Sequence, residues 1–203
     1  MNNQQLNSEI TQYPVSIWEV ILIVMGAIAL IAAGLLGLGI KVLTNAYDPA
    51  RAEAIAKSLI DYKIPGGSQG VFGINIGSAK SAWVQSSKNP PDVVLFVGKT
   101  PINKETDQNE LNRGFENPPS ENLAQDFTVN TSRLENKAFC GKIVPITIEG
   151  GQQTFIAQPS PLPGIRYTAR ITEDNVERIV ILTTTGENAQ QKAVTVFNSL
   201  QCK

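Results

Sequence analysis

The chain has 203 residues, of which 17 are basic and 18 are acidic, giving a net charge of −1, and it contains no histidine. The balanced charge disfavours nucleic acid as a partner, because nucleic-acid-binding domains usually carry an excess of Lys and Arg. The lack of histidine removes the commonest general base, the Ser-His and Cys-His nucleophile pairs and imidazole metal ligands. We therefore expect no catalytic residues, no metal site and no cofactor.

The amino-terminal part of the sequence predicts a membrane anchor. Residues 1–16 are polar, rich in Asn and Gln, and predict a disordered tail. The run from Val20 to Ile40 then carries no charged side chain over about 21 residues, or roughly 31 Å as a helix, which matches the hydrocarbon thickness of a bilayer. This pattern predicts a transmembrane helix over residues 17–43, followed by a linker over residues 44–48.

The flanks of this run bear on whether the anchor is retained. Trp18 and Tyr47 lie on either side of it, and aromatic rings favour the two interfaces of a membrane. A cleaved signal peptide is the alternative. The length of the apolar run, and the lack of Lys or Arg ahead of it, favour an uncleaved signal anchor in a single-pass protein.

The predicted span also carries small residues on one side of the helix. Their steps of three and four residues place them on one face, where close approach of another helix is favoured in lipid. We interpret this stripe as a candidate helix-packing face for a second copy or another membrane subunit. The expected partners are therefore the lipid bilayer and a second transmembrane helix, in a homo- or hetero-oligomer. The stripe consists of Gly26, Ala29, Ala33 and Gly37.

Two signals for the side of the membrane disagree. Basic residues follow the span, which favours a cytoplasmic domain by the positive-inside rule. Cys140 and Cys202 favour an extracytoplasmic domain if they pair, because disulfides persist in oxidising compartments. Such a bond closes a loop of roughly 60 residues and contributes roughly 4 kcal/mol on the chain-entropy model. Two unrelated buried thiols are the alternative; we expect an extracytoplasmic domain on the periplasmic or lumenal side.

Periodicity after the span predicts a helix and then strands. Asp48-Pro49 provides an N-cap and a first helical residue, and apolar residues recur at helical spacing until a stop near Ile64-Pro65. Alternating residues from Val71 to Val84 predict two strands with a turn at Gly77-Ser78. The continuous apolar run from Val93 to Val97 predicts a central strand.

The remainder predicts more strands and a closing helix. Lys99–Asn136 is the most polar stretch and predicts weak helices at a mobile edge of the domain. From Lys137 onward short strands follow one another, and a last amphipathic helix begins after Gly186-Glu187-Asn188. Residues 49–203 thus predict one α+β domain, with a mainly antiparallel sheet of six to eight strands on which the first and last helices pack.

Two stretches resemble a family of uncharacterised bacterial membrane-anchored proteins. Asp48–Ile76 contains the phrase DYKIPGG, and Cys140–Leu200 ends in a strand–helix pair of the type ILxxxG…FxxSL. The resemblance implies an anchor, a β-rich middle and an exported domain, and it brings no established catalytic residues. The matching residues are Asp61, Tyr62, Pro65, Gly66, Ile181, Leu182, Gly186, Phe197, Ser199 and Leu200.

Three functions are compatible with these features. The first is a non-enzymatic, membrane-anchored binding or accessory protein, such as a small subunit or assembly factor of a membrane complex. The second is a carrier for a lipid or small apolar ligand held between sheet and helix. The third is a hydrolase that works without histidine, through a Ser-Lys pair or two carboxylates. Since no catalytic pattern is evident in the sequence, we favour the first.

Overall fold

The computed structural model of the protein describes residues 16–102, 126–155 and 158–203. The chain divides into two compact units at Val42. Helix α1 (Ile17–Ala46) is long and apolar enough to cross a membrane. It continues through Ala46, so that the predicted linker over residues 44–48 is largely helical.

Helix α2 (Pro49–Leu59) begins where the sequence predicts. The Asp48 Oδ1 atom accepts hydrogen bonds from the backbone N–H groups of Ala50 and Arg51, at 2.9 and 3.2 Å, and so caps the first turn. The helix ends before the predicted stop near Ile64-Pro65, and that part of the prediction is wrong. The next two residues instead form strand β1 (Ile60–Asp61), because their backbone pairs antiparallel with the distant strand β9 (Gln201–Cys202).

The centre of the domain is a seven-stranded antiparallel sheet, which confirms the predicted α+β class. The spatial order is β2-β3-β4-β8-β7-β6-β5, so two meanders meet where β4 pairs with β8. The strands are β2 (Ser68–Ile76), β3 (Ala79–Ser86), β4 (Val93–Pro101), β5 (Asp126–Phe139), β6 (Lys142–Phe155), β7 (Gln158–Glu173) and β8 (Val176–Thr185).

The predicted two-strand unit with a turn at Gly77-Ser78 is β2–β3, and the predicted central strand is β4. The prediction for Lys99–Asn136 missed strand β5, which starts at Asp126 and pairs along its length with β6, so a helix continuing through Phe127 is wrong. The weak helices predicted in this stretch fall largely on residues 103–125, outside the described part of the chain.

One face of the sheet is covered by α2 and by the last helix, α3 (Ala189–Asn198), as predicted. Their apolar residues and those of the central strands form the main core. Helix α2 lies close against β2 because glycines stand at the contact. A Cβ atom at Gly73 would lie 2.8 Å from the Ala52 Cα atom, which is closer than atoms of this kind approach.

The other face of the sheet carries a second, aromatic core. Phe72, Trp83 and Phe96 stand on neighbouring strands, with ring centroids 5.9 and 4.2 Å apart. Tyr47 packs edge-on against Phe72 at 5.1 Å. Ala46 is buried in the same cluster, so the residues joining α1 to α2 are anchored on this face.

Candidate functional site

An open pocket lined by charged side chains lies beside the start of α3. Its volume is about 610 Å³, and its wall combines the β3–β4 loop, the β8–α3 turn and the first turns of α3. Two lysines and two carboxylates line it, so that its formal charge is balanced. These charged residues are Lys88, Asp92, Glu187 and Lys192.

The β3–β4 loop is shaped by Ser86, the last residue of β3. Its Oγ atom accepts hydrogen bonds from the backbone N–H groups of Asp92 and Val93, at 3.0 and 3.3 Å. Its hydroxyl donates to the Asp92 Oδ1 atom at 2.8 Å. Since Ser86 is only 1% exposed, these bonds satisfy a buried hydroxyl and fix the Asp92 carboxylate at the pocket wall.

The Asp92 carboxylate joins two distant parts of the chain. Its Oδ2 atom accepts from the Nζ atoms of Lys88 at 2.6 Å and of Lys192 at 3.0 Å. Lys192 also donates to the backbone carbonyl of Thr185 at 2.8 Å. Burial by itself raises the pKa of Asp92, but the hydrogen bonds from Lys88, Lys192 and Ser86 outweigh it and lower this pKa to about 2.

This geometry is poorly suited to hydrolysis, although it brings a serine, a lysine and a carboxylate together. A nucleophilic serine needs a neighbouring base that accepts its proton. The acceptor here is a carboxylate with a pKa of about 2, which is a weak base at neutral pH. The Lys192 ammonium already donates to that carboxylate and to a carbonyl oxygen. The cluster therefore links the β3–β4 loop to α3 through the ion pair between Asp92 and Lys192.

Two observations on the described part of the chain concern metal ligation and binding between the sheet and the β1–β9 pair. Over residues 16–102, 126–155 and 158–203, no group of three or more acidic or cysteine side chains is placed to hold a metal ion. A cavity between the sheet and the β1–β9 pair is lined by Leu59, Val97, Phe139 and Cys202. It has a volume of about 10 Å³, which is room for one water molecule and not for a lipid chain.

The structure brings the two cysteines together. Cys140 and Cys202 are joined through their sulfur atoms, with their Cα atoms 5.1 Å apart, within the range of protein disulfides. Cys140 lies in the tight β5–β6 turn, where it and Gly141 have φ angles of 52° and 74°. Cys202 lies in β9. The link therefore ties the end of the chain to a hairpin of the large sheet.

The small-residue stripe lies on α1, within the first compact unit. A Cβ atom added at Gly26 or Gly37 would meet nothing within 4 Å, so the face is open to an approaching helix. Its role in helix packing stays a prediction.

Sequence reasoning missed the Ser86–Asp92–Lys192 cluster. Lys192 follows Asp92 by 100 residues, and only the pairing of β4 with β8 brings them together. The one local signal is the lysine four residues before Asp92, which is a weak signal in a polar loop.

No family model matches the sequence, and no curated protein is significantly similar to it. The resemblance to membrane-anchored proteins through Asp48–Ile76 and Cys140–Leu200 accordingly stays a prediction.

Proposed function

We propose that this protein is a membrane-anchored, non-enzymatic binding or accessory protein, and that it serves as a small subunit or assembly factor of a membrane complex. The observation that carries the proposal is the exposed, apolar surface of α1 between Val20 and Ile40. Leu30, Leu35 and Leu36 are 76%, 65% and 68% exposed, and the geometry of an α-helix places them about 100–140° apart around its axis. A helix that is apolar all round requires an apolar environment, which a bilayer provides.

The polar cluster in the domain supports a non-enzymatic role. Ser86 and Lys192 are both engaged in hydrogen bonds that fix the loop, and Asp92 is a weak base. The serine, lysine and carboxylate of this cluster are thus committed to structure.

The cysteine pair supports an extracytoplasmic domain. A bond between Cys140 and Cys202 persists in an oxidising compartment and is reduced in the cytosol. The basic residues that follow α1 favour the opposite side, so sidedness needs a direct test.

Membrane integration is tested by alkaline extraction of membranes that contain the full chain. We expect the wild-type protein to stay in the pellet until detergent is added. The double variant L30R/L36R should move to the soluble fraction, because an arginine in the middle of a span costs roughly 3 kcal/mol. L134R is the matched control, since Leu134 is 72% exposed on the domain. Release of the wild-type chain by alkali alone would contradict the anchor.

The accessory role is tested by purification in mild detergent. Gly37 and Gly39 are both glycines on α1 with no atom within 4 Å of an added Cβ, and only Gly37 belongs to the small-residue stripe. We expect G37I to lose a co-purifying membrane subunit that G39I retains. Recovery of the wild-type chain alone, as a monomer in several mild detergents, would refute the proposal.

Sidedness is tested with a membrane-impermeant thiol reagent on intact cells. The C140S variant leaves the partly exposed Cys202 as its single thiol. We expect this thiol to be labelled without lysis. Labelling that requires lysis would place the domain in the cytoplasm.

A further inference from the structure

Strand β5 forms one edge of the large sheet and is exposed along most of its length. Its inner side pairs with β6, and among the described strands none pairs with its outer side. Residues 128–134 of the strand are all exposed. Such an edge presents backbone N–H and C=O groups that are free to pair with another strand.

The regular part of this edge has defined limits. A bulge shifts the register between Val129 and Thr131, and the turn at Cys140-Gly141 ends the strand. The stretch from Thr131 to Lys137 lies between these irregularities, and it pairs with β6 without a break in register.

The side chains of this stretch form a pattern of alternating charge on one face. Arg133 donates to Glu135 at 2.7 Å, and Lys137 contacts the same carboxylate at 2.9 Å. On the opposite face, Leu134 is 72% exposed, so that a large apolar side chain lies at this edge of the sheet. Ion pairs at partly exposed sites such as these contribute little to stability.

We propose that two copies of this chain associate edge to edge through β5, antiparallel and centred on Leu134, so that the two sheets join into one continuous sheet. In this register Arg133 stands opposite the partner's Glu135, and Glu135 stands opposite the partner's Arg133. The two exposed Leu134 side chains meet at the two-fold axis. Opposite charges and apolar pairs directly across two strands are the contacts that stabilise a sheet.

Neighbouring registers are less favourable. Centring the pair on Arg133 or on Glu135 places like charges directly opposite each other, which is destabilising. Centring it on Asn136 restores an opposite-charge pair with Lys137, but sets Leu134 against Ala138 instead of a second leucine. The sequence of β5 is therefore best self-complementary about Leu134.

The proposal makes the charge-reversal variants R133E and E135R complementary to one another. A chain with R133E has only carboxylates at positions 133 and 135, and a chain with E135R has only guanidinium groups there. Each variant should repel its own copy, whereas a mixed pair has two opposite-charge contacts. Pairing through α1 gives no such preference, because α1 is identical in both variants.

The experiment mixes the two full-length variants, carrying different tags, in one mild detergent. Affinity capture through one tag followed by quantification of the other measures mixed pairs. We expect each variant alone to dimerise on the order of tenfold more weakly than the wild-type chain, and the mixture to recover wild-type dimerisation. Equal dimerisation of wild type, single variants and mixture would overturn the proposal, as would a wild-type chain that stays monomeric.

A second measurement locates the two-fold axis of the proposed dimer. Leu134 and Ile143 are 72% and 71% exposed, on the neighbouring strands β5 and β6. Each is replaced by cysteine, and a short bis-maleimide is added to the full chain. We expect L134C to give a cross-linked dimer and I143C to give at least tenfold less, because only position 134 lies on the proposed axis. Equal yields from the two variants would refute this register.

Discussion

Asp92 is expected to make the stability of the domain depend on pH in the acid range. Its pKa is about 2 in the folded chain, against an ordinary value of 3.8, because Lys88, Lys192 and Ser86 hydrogen-bond its carboxylate. A depressed pKa stabilises the folded state at pH values above the unfolded pKa. This contribution is lost as the pH falls from about 4 towards 2. The difference in pKa corresponds to roughly 2 kcal/mol at neutral pH before screening by solvent reduces it.

The D92N variant is expected to lose this contribution at pH 7 and to show a flatter dependence on pH between 5 and 2. Urea unfolding can be followed through Trp83, which is buried in the aromatic core, in a W18F background that leaves it the single tryptophan. E173Q is the matched control, because Glu173 contacts Lys142 at the surface. An equal loss in D92N and E173Q, or an unchanged pH dependence in D92N, would refute the reasoning.

Three further changes test the packing and the cross-link. C140S should lower the unfolding free energy by about 4 kcal/mol, because the bonded cysteines are 62 residues apart in sequence. A reductant should lower the unfolding free energy of the wild type by the same amount and leave that of C140S unchanged. G70A should lower the unfolding free energy by about 1–3 kcal/mol, because the new Cβ would lie 2.7 Å from the Glu53 backbone nitrogen and α2 must move. An unchanged melting temperature by circular dichroism would contradict this contact. T184V should lower the unfolding free energy by about 1–2 kcal/mol, because it removes the buried hydrogen bond of 2.7 Å to the Ala189 carbonyl. Urea titration measures this loss, and a loss below about 0.5 kcal/mol would show that another hydrogen bond replaces this one.

The parts of the fold that were predictable are those with strong local periodicity. The apolar run of α1 indicates a helix long enough to cross a membrane, the alternation in β2 indicates a strand, and the continuous apolar run of β4 indicates a buried strand. The start of α2 was also predictable, because Asp48 and Pro49 act within one turn of the helix.

The parts that were not predictable depend on pairing between distant residues. Strand β5 is an edge strand whose polar side chains face solvent on much of its surface, so that its composition resembles that of a loop. Ile60 leaves the helical pattern because its backbone pairs with Cys202. Asp92 and Lys192 come together only after β4 and β8 pair, and no spacing along the chain indicates that contact.

The pairing of β1 with β9 has a mechanical consequence. A pulling force applied at Lys203 passes from β9 into β1, which directly follows α2, and also reaches β8 through the hydrogen bond that Arg178 donates to the Lys203 carbonyl. If this short pair opens, the link from Cys202 to Cys140 takes the load, and the segment between these cysteines cannot be extended while the bond is intact. Tension between α2 and Lys203 would therefore leave β6, β7, β8 and α3 unstretched, and the domain would keep its last three long strands under load.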